Sequence, residues 1–190
     1  MEKSIKLFFT CFIIILSIKA FSQRDTDPSL VFQNYSNKKP YYINIEIEKK
    51  DRINFPFYVD NIIDSTDNQM IGLVRTGIFN VQRPAYFKLG TQKTFLRVIQ
   101  DVNDAKEGYL PLKIVISKVK IFENLNAFNA NTNVIVTLRF YSLGILMFTS
   151  TEQFSNTHLD GTSSHKENIK KAIINNLNSF TEFYYTTRKK

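Results

Sequence analysis

Residues 110–121 read LPLKIVISKVKI. Leu110, Leu112, Ile114 and Ile116 stand at even positions. Side chains alternate across a strand with a period of two, so this run is a strand with one apolar face. The phase then flips, and the next apolar residues, Val119 and Ile121, are odd. A strand that keeps the same face in the core through such a flip must bulge or twist, here near Ser117.

Downstream, Val134, Val136, Leu138 and Phe140 alternate cleanly with Asn133, Ile135, Thr137, Arg139 and Tyr141. Ser142-Leu143-Gly144 reads as a hairpin turn, with Gly144 free to take positive φ. The return strand runs from about Ile145 to Phe154. FENLNAFNANT, residues 122–132, reads as a long asparagine-rich connection, and NTHLDGTSS after the return strand as a loop. Ser164 and Glu167 have the spacing of a capping box. Ile169, Ile173, Leu177, Phe180 and Tyr184 follow at steps of three and four, which predicts a C-terminal helix with one apolar stripe.

Upstream, Thr91 is placed to cap a helix over residues 91–106, with Phe95, Val98, Ile99 and Val102 on one side and Gly108 beyond its end. Alternation through Ile43, Ile45 and Ile47, and again through Phe55, Phe57 and Val59, predicts a hairpin turning at Lys50-Asp51-Arg52. Pro56 lacks an N–H and belongs at an edge or bulge. Ile71-Gly72-Leu73-Val74 reads as a short strand. Residues 76–90, TGIFNVQRPAYFKLG, are apolar and aromatic but hold no period. The element order predicts an α+β fold: a mostly antiparallel sheet of about five strands with two amphipathic helices packed on one face.

The N-terminus carries the compartment. Lys3 and Lys6 precede the apolar run Leu7–Ile18, and Ala20-Phe21-Ser22 offers small residues at the positions before a cut. That is the layout of a secretory signal peptide, and the run is short of the ~20 apolar residues a membrane span needs. An uncleaved signal anchor is the competing reading. Cys11, the only cysteine of the chain, lies inside the apolar run rather than at its end, so it is a poor lipid anchor. The expected organisation is a signal peptide at 1–22, a flexible N-terminal lead at 23–40, one domain at 41–186 and a basic tail at 187–190. No transmembrane span is expected in the mature chain, and no thiol remains there for a disulfide, a nucleophile or a metal.

The 190 residues carry a formal charge of +8. Three cations and one acid would leave with residues 1–22, and Arg188, Lys189 and Lys190 supply half of what remains. The body is then only mildly basic. Nucleic-acid domains gather cations on one face or helix, so no nucleic-acid partner is expected; a weak affinity for anionic lipid headgroups or acidic glycans stays open.

Catalytic and metal motifs are sparse. His158 and His165 flank Asp160 without a metal-ligand spacing, and Asp60, Asp64, Asp67 and Asn68 do not match a calcium loop. Turn chemistry accounts for the latter group. The six glycines form neither a dinucleotide fingerprint nor a phosphate loop. No catalytic residue, metal or cofactor is expected. The remaining candidate is the 76–90 segment, where Phe79, Arg83, Tyr86, Phe87 and Lys88 combine rings and cations as partner-binding surfaces do. The competing reading is that these side chains complete the core beneath the first helix.

PLKIVISKV, then VIVTLRFYSLG, then the capped C-terminal helix together resemble small α/β proteins of the two-membrane bacterial envelope: LptE-like and YajG-like outer-membrane lipoproteins and curli-secretion proteins of the CsgG kind. The likeness spans about residues 91–184 and is one of element order and hydrophobic phase. It implies a non-catalytic accessory role with an envelope protein or a glycolipid as partner, in the periplasm, outside the cell, or at the periphery of the outer membrane. Two other readings stay open: a secreted hydrolase using Asp160 or His158, and a soluble carrier of an apolar ligand.

Overall fold

The computed structural model describes residues 38–67, 69–76, 81–103, 109–125, 130–158 and 164–188. They form one compact unit within Lys38–Lys190. The order is β1 (Tyr41–Ile43), a 3-10 turn (Lys49–Asp51), β2 (Phe57–Asp64), β3 (Gly72–Thr76), β4 (Val81–Phe87), α1 (Thr91–Val102), β5 (Leu110–Leu125), β6 (Ala130–Ser142), β7 (Ile145–His158) and α2 (Ser164–Arg188). The seven strands make one sheet ordered β1-β4-β3-β5-β6-β7, with β2 beside the first half of β5. The α+β class and the two helices are as expected. The sheet is larger than expected and mixed rather than mostly antiparallel.

The long strand β5 organises the rest. It pairs antiparallel with β6 over most of its length, with a register shift between Ile116 and Lys118. Leu112, Ile114 and Ile116 before the shift, and Val119 and Ile121 after it, are all buried. The bulge at Ser117 therefore keeps one apolar face in the core, as the phase flip requires. The other edge of β5 is shared. β2 lies parallel to it from Leu110 to Ile116, and β3 takes over at Ile121, opposite Gly72. A Cβ on Gly72 would sit 2.0 Å from the Ile121 carbonyl oxygen, so only glycine permits this approach.

The expected first hairpin does not form. β1 pairs parallel with β4, and β2 parallel with β5. The Lys49–Asp51 turn is present, but it redirects the chain instead of folding it back. Alternation in a sequence fixes which side chains face the core; it does not fix the neighbouring strand. Residues 81–87, inside the aperiodic segment, are β4, paired antiparallel with β3. Pro84 and Ala85 are buried side by side there, which breaks the alternation a strand normally shows. The asparagine-rich stretch after Ile121 is also mostly strand: Phe122, Glu123 and Asn124 pair with Asn133, Thr132 and Asn131. Backbone hydrogen bonds carry the ladder there, whatever the side chains.

Both helices contribute apolar stripes to a single core. α1 buries Phe95, Val98, Ile99 and Val102 and packs on β2 and β4. Its first residue is Thr91, and Gly90 holds the cap position with no side-chain cap. Asn103 closes it: its amide donates to the Phe57 carbonyl at 2.7 Å and its oxygen accepts from Phe55 N–H at 3.2 Å. α2 packs on β6 and β7 and buries Ile169, Ile173, Leu177 and Phe180. Phe180 stacks on Phe140 with ring centroids 4.7 Å apart and meets Phe57 edge-on at 5.3 Å, an arrangement that adds about 0.5–1.5 kcal/mol per pair beyond burial.

Candidate functional site

The turn between β6 and β7 is two residues long, since Ser142 pairs with Ile145. Leu143 and Gly144 both have positive φ, 51° and 80°. This is the primed turn that suits the twist of a tight hairpin, and Asn-Gly is its usual filling. Leucine at the first position costs roughly 1–2 kcal/mol of backbone strain. It gains nothing from packing, because Leu143 is 91% exposed. Ile145, Leu146 and Met147 beside it are exposed as well.

The same end of the molecule collects rings and cations. β5 and β2 start there, and α2 ends there, as Phe57 opposite Leu110 and Lys113 opposite Tyr141 show. Phe148 of β7 stacks on Phe183 of α2 at 4.9 Å, so the next residues of α2 emerge beside the hairpin. Pro56, Tyr109, Leu110, Tyr184, Tyr185 and Arg188 line an open groove of about 410 Å³. Tyr109 and Tyr185 are about half exposed. Arg188 lies over the Tyr184 ring at 4.5 Å, and Lys113 over the Tyr141 ring at 5.6 Å. This end of the molecule thus carries an aliphatic hairpin tip and a groove of tyrosines with a long cation.

The opposite end is polar and closed. His165 of α2 hydrogen-bonds Glu123 of β5, Nε2 to Oε1 at 2.7 Å, and both side chains are buried. Glu123 also accepts the Arg75 backbone N–H at 2.9 Å. Burial, and then the Glu123 charge, hold the Tyr41 hydroxyl above its ordinary value. The Ser164 hydroxyl donates to Thr132 at 3.1 Å, and Glu167 pairs with Lys170 at 3.0 Å. The Ser164 and His165 contacts seat the first turn of α2 on the sheet. Among the described residues no three potential metal-ligating side chains come together. The His158 side chain and Asp160 lie outside the described residues.

Of the segment singled out in the sequence, the structure divides the members. Phe87 is buried and meets Phe95 of α1 edge-on at 5.9 Å, so it packs the core and presents nothing to a partner. Tyr86 lies on the other side of β4 beside Tyr42, with ring centroids 6.2 Å apart. Arg83 is half-buried and Lys88 exposed. Phe79 lies outside the described residues. The hairpin tip drew no attention in the sequence beyond its turn. The signal is local: a leucine where the turn prefers asparagine and, after Gly144, the four-residue apolar run Ile145-Leu146-Met147-Phe148.

No family model matches the chain, and no curated protein matches it. Among solved structures, a Xanthomonas campestris protein of the DUF330 family model aligns over 80% of this chain and 97% of its own, with 8% identity and a TM-score of 0.43. A minor lipoprotein from Acinetobacter baumannii aligns over 50% of this chain and 79% of its own, with 12% identity and a TM-score of 0.30. No family assignment follows from likenesses of that size.

Proposed function

We propose that the protein is an exported, non-enzymatic envelope component that docks on a lipid surface through its apolar end. The observation that carries this reading is Leu143, strained in backbone and almost wholly exposed at the tip of a two-residue hairpin turn. Strain kept without a packing return points to use outside the molecule. Tyrosines and snorkelling cations around an aliphatic tip are what the headgroup region of a bilayer accommodates. Each large side chain withdrawn from water contributes about 1.5–3 kcal/mol, so three or four residues suffice for reversible binding. Among the described residues no helix is long and apolar enough to cross a membrane, and insertion of a loop tip requires none.

The test is sedimentation with phospholipid vesicles, using residues 23–190 so that the apolar leader does not contribute. The account expects the wild type to pellet with vesicles and the Leu143→Asn, Ile145→Ser, Leu146→Ser variant to remain in the supernatant. A wild type that ignores vesicles, or a variant that still pellets, overturns the lipid reading and returns the tip to a protein partner.

A further inference from the structure

The charges of β5, β6 and β7 are sorted completely between the two faces of the sheet. These strands contain two carboxylates, Glu123 and Glu152. Both face the helices: Glu123 bonds His165, and Glu152 accepts a hydrogen bond from Ser179 at 3.1 Å. The strands contain four Lys and Arg residues, Lys113, Lys118, Lys120 and Arg139. Each alternates with the buried core residues of its strand, so all four lie on the face away from α1 and α2, the open face among the described residues. Lys118, Lys120 and Arg139 are exposed.

Their spacing is regular. In the register of β5 and β6, successive rungs on the open face are Lys120 with Ile135, Lys118 with Thr137, Val115 with Arg139, and Lys113 with Tyr141. Every rung holds one cation. Strand geometry puts these rungs about 7 Å apart. The bulge at Ser117 creates the row. Were Ser117 paired as an ordinary strand residue instead of bulged out, Lys118 and Lys120 would fall on the core face, out of phase with Lys113. On β7 the row is flanked by Thr149, Thr151 and Gln153, the partners of Arg139, Thr137 and Ile135. Thr149, Thr151 and Gln153 are exposed. The body is only mildly basic by count, and the register gathers four of its cations on this one face.

We infer that this open face binds a linear acidic polysaccharide, with one anionic group per cation rung and sugar hydroxyls on the threonine and glutamine side chains. Charge complementarity selects a polyanion. Single-stranded nucleic acid is less well served, because its binding sites stack successive bases on exposed rings. The rings of this row, Tyr141 and Phe122, are half-buried and stand at its two ends. The inference stands on the charge sorting alone and does not depend on lipid docking.

The experiment uses protein expressed from its full-length chain and purified as the cell processes it. Binding to polygalacturonate, a uronic-acid polymer, is measured by titration calorimetry at low and at physiological salt. Lys118→Gln, Lys120→Gln, Arg139→Gln is compared with Lys93→Gln, Lys166→Gln, Lys171→Gln, which removes the same charge from exposed positions on the helices. The expected result is at least a tenfold loss of affinity for the first triple, less than a twofold change for the second, and unchanged melting temperatures for both. Equal losses would show a net-charge effect and overturn the site. So would no binding by the wild type, or tighter binding of a single-stranded oligonucleotide than of the polysaccharide.

Discussion

Lys170 of α2 reaches across to Asp51 in the 3-10 turn, Nζ to Oδ2 at 3.0 Å, with both side chains largely buried. Burial alone would raise the Asp51 carboxyl and lower the Lys170 ammonium. At Asp51 the Glu48 backbone N–H and Lys170 outweigh burial, and the carboxyl ends below its ordinary value. At Lys170 the Asp51 and Glu167 carboxylates outweigh it, and the ammonium ends above its ordinary value. A depressed carboxyl contributes stability that is present above its unfolded pKa of about 3.9 and is lost as pH falls through the folded value. A raised ammonium contributes stability that is present below about 10.4 and is lost as pH rises through the folded value. Denaturant titrations should show a stability plateau between those limits. Asp51→Asn should lower the plateau by about 2 kcal/mol, the worth of a hydrogen bond between charged groups, and flatten the acid limb.

Phe87→Ser should unfold the protein early, by about 3–5 kcal/mol, because it empties a core position against Phe95. Tyr86→Ser, one residue away on the open face, should cost far less. Chemical denaturation of the two variants checks this; equal losses would contradict the assignment of faces in β4.

Deleting Ser117 should be tolerated. Ile116 and Lys118 already oppose the successive residues Leu138 and Thr137 of β6, so removal of the extra residue restores strict alternation and leaves Val119 and Ile121 inward and Lys118 and Lys120 outward. The expected readout is a retained cooperative transition by circular dichroism; its loss would contradict the assignment of Ser117 as the extra residue. Ser117→Ala keeps the extra residue and should fold normally.

The sequence shows faces well and neighbours poorly. The phase flip at Ser117, the Leu143–Gly144 turn and the stripe from Ile169 to Phe180 were all legible, because each is written in local spacing. The parallel pairings of β1 with β4 and of β2 with β5 were not, since alternation at Ile43 or Phe57 is the same whatever strand lies alongside. β4 was hidden by adjacent buried Pro84 and Ala85. The charge sorting needed the register of β5 against β6: Arg139 and Lys118 are far apart in the chain and one rung apart in the sheet. The apolar end needed the fold as well, because Tyr109, Leu143 and Tyr185 share nothing in sequence.

The most direct measurement places a reporter at the tip. Residues 23–190 contain every described element and no cysteine. Leu143→Cys and, on the open face, Thr151→Cys are each labelled with an environment-sensitive fluorophore and titrated with phospholipid vesicles. The account predicts a blue shift and intensity rise at position 143, with position 151 remaining in a water-like environment. An unchanged spectrum at position 143 on vesicle-bound protein would contradict docking through this end.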